Sequence, residues 1–285
     1  MGKGIISIFG CGWLGLPLGR HLIDNGFQVK GSVTNPEKFD QLKSEGILPF
    51  RIVAQPTGLI LDESDFFDCE VLVISIPPRR IEGIQQIYPS QIGQIIPFIL
   101  KFGIKRVLFI SSTSVYPEDL IDAVEDGNYI PDKESGKAIL LAENLLIDQS
   151  EFQTTILRFG GLIGADRNPA RFLSKASNPI SNTPVNLIHQ DDCIGIIAEI
   201  IRQNLWGETL NACCPEHPLK KDFYGKAARI SGLPEPMVEE IPKPSKKVDS
   251  SKLFRMLSYQ FKYSSPMDYL DDWQKGISKL GNGRN

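Results

Sequence analysis

Three glycines near the start of the chain have the spacing of a phosphate-binding loop. They stand in the stretch FGCGWLGLPLG, between an apolar run and a helical pattern. In a G-x-G-x-x-G arrangement the first glycine permits a tight turn, the second lets the backbone approach a pyrophosphate, and the third allows close packing of helix and strand. The amides and dipole of the following helix favour an anion. The spacing therefore predicts a dinucleotide-binding loop formed by Gly10, Gly12, Trp13, Leu14 and Gly15.

The position that would hold the cofactor ribose lacks its usual acid. A carboxylate about 20 residues beyond such a loop normally binds the 2′-hydroxyl, but residues 32–34 read SVT. This absence removes repulsion against a 2′-phosphate, although no arginine takes its place. Thr34, Asn35 and Lys38 are candidate phosphate contacts, so we expect NADP to be weakly favoured over NAD. A structural role fits equally well, because Asn35 before Pro36 is typical of a helix start.

Two adjacent arginines follow the apolar run VLVISIPP. Arg79 and Arg80 would lie at the carboxyl end of a strand, where open α/β sheets bind ligands, and Pro77 would lie beside the cofactor. Guanidinium groups can hold a substrate carboxylate or phosphate in bidentate fashion. A solvated pair of loop arginines is an equally good interpretation.

Elements that would position these residues alternate along the first 164 positions. Apolar runs of strand length alternate with helical patterns, which predicts βαβ units, and nearly unbroken apolar strands predict helices on both faces. The fold class expected is α/β, a Rossmann-type doubly wound parallel sheet. The predicted strands are at about 4–9, 27–32, 48–53, 69–78, 105–113 and 153–164, and the predicted helices at 13–25, 36–45, 88–102 and 132–149.

The pattern changes after Gly164. A loop-rich stretch is followed by a strand and helix in VNLIHQDDCIGIIAEIIRQ, a short strand in TLNACC and a helix in KKDFYGKAARISG. We expect a dinucleotide-binding Rossmann domain at 1–165 and a smaller substrate-side lobe at 166–285. The lobe should be interleaved with the sheet through about 185–212.

The composition is that of an ordinary globular protein. The chain has 285 residues, is 41% hydrophobic and 23% charged, and carries a net charge of −3, so neither a nucleic acid nor a membrane is an expected partner. The N-terminus lacks the apolar segment of a signal peptide. Five cysteines without C-x-x-C spacing, beside three histidines, predict buried thiols and no metal site. We expect a cytoplasmic monomer or homodimer that binds a small-molecule substrate.

Several motifs in order carry a family resemblance. With the glycine loop, the segments FISSTSVYP, TILRFGGLIG and LIHQDDCIGII resemble the extended short-chain dehydrogenase/reductases, also called the NAD-dependent epimerase/dehydratase family. The combination GCGWLGLPLG, SIPPRR, SSTSVYP, ESGKAILLAE and NPARF is similar to an atypical, YeeZ-like branch of that family. The resemblance spans about residues 4–260 and implies an NAD(P)-binding protein on a Rossmann fold.

The resemblance also identifies what is missing. In active members a Ser or Thr hydrogen-bonds the substrate oxygen, while a Tyr and a Lys four residues later perform acid–base chemistry. Ser112 or Thr113 matches the first role. When Glu143 is aligned with the acid common on that helix, Ser135 falls at the Tyr position and Ile139 at the Lys position. The usual Tyr–Lys pair is therefore absent.

Tyr129 and Lys133 have the same Y-x-x-x-K spacing at a different place. Pro131 lies between them, and they precede the helical register by six residues. We interpret them as a loop tyrosine and a helix-start lysine, although a genuine pair is the alternative.

Other substrate-side residues are assigned by the resemblance. Tyr116 belongs to the pocket-lining pattern, and Arg158, Arg167 and Arg171 lie in the segment that lines the substrate pocket in relatives. His189 has a structural or substrate-side role in relatives, and a satisfied, partly buried histidine is the favoured interpretation.

Two main functions remain open. One is an atypical oxidoreductase or epimerase that acts on the carbonyl of a sugar-like or other small polar substrate, polarised by Ser112. The alternative is a non-catalytic NADP(H)-binding sensor or interaction module, and in a third interpretation the nucleotide loop is vestigial. No motif identifies the substrate.

Overall fold

The core of the molecule is an eight-stranded, mostly parallel sheet. The computed structural model describes residues 3–164, 167, 169–170, 179–239 and 244–281. Within them the strands are β1 (Ile5–Phe9), β2 (Gln28–Val33), β3 (Leu48–Gln55), β4 (Gly58–Leu61), β5 (Val71–Ile74), β6 (Arg106–Ser112), β7 (Gln153–Phe159), β8 (Gly161–Ile163), β9 (Leu187–His189) and β10 (Thr209–Ala212). The helices are α1 (Gly15–Asp24), α2 (Phe39–Ser44), α3 (Ile84–Gly93), α4 (Ile96–Lys101), α5 (Glu134–Ile147), α6 (Gln190–Gln203), α7 (Lys220–Ile230), α8 (Ser251–Met256) and α9 (Pro266–Gly281).

Strand order places a crevice at the centre of the sheet. The order is β10-β7-β6-β5-β1-β2-β3-β4, and every neighbouring pair is parallel except β3 and β4. The direction of winding reverses between β1 and β5, and ligands of open α/β sheets bind at such a switch point, outside the carboxyl ends of the strands. The predicted doubly wound Rossmann-type sheet is confirmed.

Helices cover both faces of the sheet. On one face, α1, α2 and α6 bury apolar side chains such as Leu18, Leu42 and Ile197. On the other, α3, α4 and α5 bury Tyr88, Ile99 and others. Because both faces are covered, the central strands are apolar on each side, which is the reason their sequences show no alternation.

Element boundaries differ from the sequence prediction in several places. The expected helix at 88–102 is two helices, α3 and α4, with Pro97 in the first turn of the second. The expected helix at 36–45 begins as a 3-10 turn at Pro36–Lys38. The expected strand at 153–164 breaks at Gly160, after which β8 pairs with β9 in a separate two-stranded sheet. The antiparallel strand β4 and the helices α8 and α9 were not predicted.

The second half of the chain contributes to the main sheet. β10 pairs with β7 in parallel, with Thr209 opposite Ile156, and α6 packs its apolar side into the core around β1. A smaller cluster beyond the sheet joins α7 and α9 through residues including Phe223 and Leu270. Among the described residues, none of the helices has the length and apolar character needed to cross a membrane.

Candidate functional site

The glycine loop has a different environment at each of its three glycines. Gly10 has φ of 107°, and a Cβ there would lie 2.8 Å from the Ser75 carbonyl oxygen. A Cβ on Gly15 would collide with the carbonyl oxygen of Gly10. At Gly12 a Cβ would meet no heavy atom within 4 Å. The backbone is therefore tightly packed at the first and third positions and open at the second, as the approach of a pyrophosphate requires.

Neighbouring strand ends fix the loop in place. The amide of Gly10 donates to Ser32 Oγ at 3.0 Å, and the amide of Cys11 donates to the Ser32 carbonyl at 2.8 Å. Helix α1 begins at Gly15, and its N-cap residue Leu14 makes no side-chain capping bond. The N-terminal end of the helix thus lacks a side-chain acceptor, and its partial positive charge favours an anion.

Residues from the second half of the chain contact the loop. Gln190 Nε2 donates to the Trp13 carbonyl oxygen at 2.6 Å, and the guanidinium of Arg167 lies 4.1 Å from the centroid of the Trp13 ring. A Cβ on Gly164 would lie 3.0 Å from the same ring. The indole of Trp13 therefore lies between the loop and the segment that leads into the C-terminal half.

At the ribose edge, Asn35 takes part in a helix start. Its Oδ1 accepts from the Glu37 amide at 3.1 Å, and its Nδ2 donates to Glu37 Oε2 at 2.8 Å. Thr34 and Lys38 are exposed beside it. The capping role of Asn35 is thus present, and it holds the carboxylate of Glu37 beside the start of the 3-10 turn. Sequence reasoning overlooked this acid because it follows the expected position by a few residues.

The loop after β5 carries Pro77, Arg79 and Arg80. All three are exposed, and the Tyr88 hydroxyl holds the start of the loop by donating to the Ile76 carbonyl at 2.8 Å. Neither arginine has an ion-pair or hydrogen-bond partner among the described residues. Both arginines follow the carboxyl end of β5, next to the switch point.

Ser112 and Thr113 lie where β6 ends. Ser112 Oγ accepts from the Ser114 amide at 3.1 Å and caps a 3-10 turn. Both residues border a cavity of about 420 Å³, a size at the lower end of the range for small-ligand pockets. Ser112 is only partly buried, whereas the Thr113 side chain is buried. The hydroxyl of Ser112 is thus the more accessible of the two.

Helix α5 carries Ser135 in its first turn and Ile139 one turn later. Ile139 is 5% exposed and packs into the core, so it has no means to transfer a proton. Tyr129 packs edge-to-face on Tyr116 at 5.2 Å, and Lys133 pairs with Glu118 at 2.8 Å. None of these four candidate residues borders the cavity at Ser112.

Arg158 and Tyr116 are buried, and neither borders the cavity at Ser112. Arg158 donates to Glu143 at 2.6 Å and to the Tyr116 hydroxyl at 2.8 Å. That hydroxyl donates in turn to Asn211 Oδ1 at 2.7 Å. Burial raises the pKa of Tyr116 to about 12. Glu143 also accepts a hydrogen bond from Ser111. The sequence spacing did not indicate that Glu143 is the partner of Arg158.

His189 caps helix α6. Its Nδ1 accepts from the Asp191 amide at 3.1 Å, and its ring packs between Tyr263 and Tyr269. Burial lowers the pKa of His189 to about 4, against the opposing effect of the Asp191 carboxylate. The imidazole is therefore neutral and engaged, as a structural histidine would be. Arg171, the remaining substrate candidate, lies outside the described residues.

Two lysines and a tyrosine are among the residues at the Ser112 cavity that sequence reasoning missed. They are Lys220 and Tyr224 on α7 and Lys246 from the Pro- and Lys-rich segment. The i, i+4 spacing of Lys220 and Tyr224 places both on one face of a helix, which is a detectable but common signal. Nothing in the sequence near Lys246 indicates that it reaches the end of β6.

Comparisons with known proteins agree with this geometry. No family model matches the chain. The protein YeeZ of Escherichia coli strain K12 is 31% identical over 267 residues, which cover 92% of this chain and 97% of YeeZ.

Solved structures share the fold at lower identity. A functionally unknown conserved protein from Silicibacter pomeroyi aligns with a TM-score of 0.76 at 21% identity, covering 96% of this chain and 99% of that one. UDP-glucuronic acid 4-epimerase from Bacillus cereus, solved with UDP-glucuronic acid and NAD, has a TM-score of 0.75 at 20% identity, with coverage of 97% and 99%. A short-chain dehydrogenase/reductase superfamily protein from Agrobacterium tumefaciens, solved with bound NAD, aligns with a TM-score of 0.75 at 16% identity. The alignment covers 99% of this chain and 100% of that one. On its sequence and its Rossmann-type fold, the chain belongs to the YeeZ family.

Proposed function

We propose that the protein binds NADP(H) or NAD(H) at the glycine loop and is an oxidoreductase that acts on the carbonyl of a sugar-like or other small polar substrate at Ser112. The observation that carries the proposal is a shared edge of the sheet. The open approach at Gly12 follows β1, and the cavity at Ser112 follows β6, so both lie outside the carboxyl ends of parallel strands. Active sites of open α/β folds form along this edge.

The residues of the loop suit the cofactor's charge. The amides at the start of α1 and the dipole of that helix stabilise a pyrophosphate beside Gly12. A reduced nicotinamide held by the loop would supply the hydride for the carbonyl carbon, and the carbonyl oxygen would need a proton from the protein or from water.

Ser112 is oriented to assist this reaction. Its oxygen already accepts a hydrogen bond from the Ser114 amide, which leaves its own hydrogen for donation to the substrate oxygen. Donation polarises the carbonyl and stabilises the negative charge that develops on its oxygen. The sequence pattern assigns Ser135 and Ile139 to the positions of the family's acid–base pair, so we infer that the proton comes from water or from another side chain.

We further propose a weak preference for NADP(H). Thr34 and Lys38 can contact a 2′-phosphate, and no carboxylate occupies the 32–34 positions that would hold a 2′-hydroxyl. The carboxylate of Glu37, held by Asn35, opposes the phosphate and keeps the preference small.

A non-catalytic sensor of NADP(H) is the second candidate. Buried Ile139 in place of a lysine favours it, since a protein that only reports the cofactor needs no proton donor. In that case dinucleotide binding would be retained and turnover absent.

Two measurements on the full chain test the proposal. Mass spectrometry of the purified protein should detect a co-purified dinucleotide, and calorimetry should give a dissociation constant for NADPH. A panel of aldehydes, ketones and keto sugars is then screened for NADPH oxidation. Binding with substrate-dependent turnover that Ser112→Ala lowers supports the oxidoreductase, binding without turnover supports the sensor, and failure to bind either cofactor overturns both.

A further inference from the structure

The cavity at Ser112 is built from three separate parts of the chain. The end of β6 forms one wall with Ser112, and residues 181–187 form another. Lys220 and Tyr224, one turn apart on α7, form a third. At about 420 Å³, the cavity has room for a small ligand that spans from the serine to the helix.

Two lysines and one glutamate supply the charges of this cavity, so its lining carries a net charge of one positive unit. One of the lysines is fully engaged. Lys246 is 8% exposed, and its ammonium donates to the carbonyls of Thr113 at 3.0 Å and Tyr116 at 3.4 Å. It also lies 3.5 Å from the carboxylate of Glu118. Lys246 therefore holds the turn after β6 in place, and it shares the Glu118 carboxylate with Lys133.

Lys220 differs from Lys246 in this respect. Its ammonium donates to Ser181 Oγ at 3.3 Å, and no carboxylate of the described residues lies within 4.0 Å of it. Glu118 and Glu239 act on it only from farther away. The side chain is partly buried, and burial lowers its pKa. A cation removed from water without an opposite charge in contact is costly, and an anionic oxygen placed beside it would recover that cost.

Hydroxyl groups lie next to the ammonium. Ser181 Oγ is 3.4 Å from Thr183 Oγ1, and both residues border the cavity together with Lys220. The Lys220 ammonium and the Ser181 hydroxyl can both donate to one carboxylate or phosphate group, and the Thr183 hydroxyl lies next to Ser181. Ser112 borders the same cavity.

From this arrangement we propose that Lys220, with Ser181 and Thr183, binds a carboxylate or phosphate group of the substrate. The substrate is then a small, anionic carbonyl or hydroxyl compound whose reacting carbon lies at Ser112 and whose charge lies at α7. This inference rests on the proposed function, because it concerns the substrate of the same site.

The test compares charged and neutral ligands of similar size. The whole protein is titrated by calorimetry with glycerol 3-phosphate, glycerate and glycerol, so that the first two separate phosphate from carboxylate. We expect one or both anions to bind and glycerol to bind far more weakly. Lys220→Gln should weaken the anion by about tenfold or more, because a hydrogen bond to a charged group is worth roughly 1.5–3 kcal/mol, and Lys220→Arg should retain part of the affinity.

A neighbouring lysine provides the matched control. Lys221 is exposed and does not border the cavity, so Lys221→Gln removes the same charge and should leave anion affinity within about twofold. The Gly12→Val variant is titrated with the same anions to test whether they bind at the glycine loop. Its anion affinity should equal that of the wild type. Equal affinity for glycerol, equal loss in the two glutamine variants, or an unchanged affinity in Lys220→Gln would overturn the inference. Dinucleotide affinity should be the same in Lys220→Gln and in the wild type. If the wild type does not bind dinucleotide, the proposed function is refuted, whatever the anion titrations show.

Discussion

Arg158 and Glu143 form a buried, bidentate ion pair beneath the end of β6. The Nε of Arg158 lies 3.0 Å from Glu143 Oε1, and Nη2 lies 2.6 Å from Oε2. Both side chains are almost fully buried. Although burial acts to lower the pKa of Arg158, the bonds and charge of Glu143 outweigh it and raise that pKa. The pair joins α5 to β7 and, through Tyr116, to Asn211 of β10.

Removal of the arginine alone should destabilise the protein. Arg158→Ala leaves the Glu143 carboxylate buried without its counter-charge, for which the expected cost is about 3–5 kcal/mol in the free energy of unfolding. Urea denaturation measures it. The double variant Arg158→Met/Glu143→Leu should recover a substantial part of the lost free energy of unfolding, since it removes both charges. If Arg158→Ala kept full stability and only weakened substrate binding, the structural role would be wrong.

Gly12→Val and Gly15→Val should separate binding from folding. The valine at position 12 extends into open space where the pyrophosphate would lie, so dinucleotide binding should be lost while the melting temperature stays near that of the wild type. At position 15 the Cβ meets the Gly10 carbonyl, and the fold itself should be destabilised. Calorimetry and thermal denaturation report the two effects. Undiminished cofactor affinity in Gly12→Val would refute the assignment of the loop.

Ser112→Ala should damage any carbonyl reduction more than changes at the alternative pair do. Loss of the hydroxyl that stabilises developing charge should lower kcat by about a hundredfold. Tyr129→Phe and Lys133→Ala should each change kcat by less than about threefold, because neither residue borders the cavity. Steady-state kinetics on a substrate identified in the panel provides the readout. If Tyr129→Phe lost its activity but still bound the cofactor, Tyr129 and Lys133 would be the acid–base pair after all.

NADP(H) should bind more tightly than NAD(H), by about tenfold or less, because a hydroxyl contact from Thr34 is worth about 1 kcal/mol and no arginine clamps the phosphate. Thr34→Arg should increase the preference by supplying that clamp. Glu37→Gln should increase it as well, since it removes the carboxylate that Asn35 holds beside the site. Side-by-side titration of the two cofactors decides, and tighter binding of NAD(H) by the wild type would contradict the proposal.

Acidification should destabilise the fold through His189. Burial places its pKa near 4 in the folded chain, while an unfolded histidine titrates near 6.5. The unfolded chain therefore binds more protons between these values, and stability that is complete above pH 6.5 is lost as the pH falls toward 4. From pH 7 to 5 the loss should be roughly 2 kcal/mol.

His189→Asn isolates this contribution. Asparagine retains an acceptor for the Asp191 amide at the start of α6 but does not titrate, so the free energy of unfolding should change less between pH 7 and 5 than in the wild type. Urea denaturation at both pH values measures the difference. An identical pH dependence in the two proteins would show that His189 is not responsible.

Residue patterns predicted the sheet because its signals are local. β1, α1 and the glycines between them are adjacent in sequence, and the packing of Gly15 against Gly10 is implied by their spacing. The same locality explains the helix start at Asn35. Each of these features depends on residues within one or two turns of each other.

Partners distant in sequence could not be predicted in this way. The family resemblance placed Arg158 in a pocket-lining segment, and its bonds to Glu143 and Tyr116, which lie 15 and 42 residues away, could not be predicted. Lys246 reaches the turn at Thr113 across 133 residues, and a lysine in a polar segment gives no indication of burial. The cavity at Ser112 could not be predicted either, since its walls come from separate parts of the chain.

The pairing of β10 with β7 limits how the chain can be divided. A polypeptide that ended near residue 165 would expose the backbone donors and acceptors of Gln153–Phe159 along an open edge, and it would lose the apolar cover that α6 provides. Unpaired strand edges of this kind recruit other chains and lead to aggregation. A chimaera between two relatives should therefore keep everything through Ala212 from one parent and exchange only the segment C-terminal to that residue.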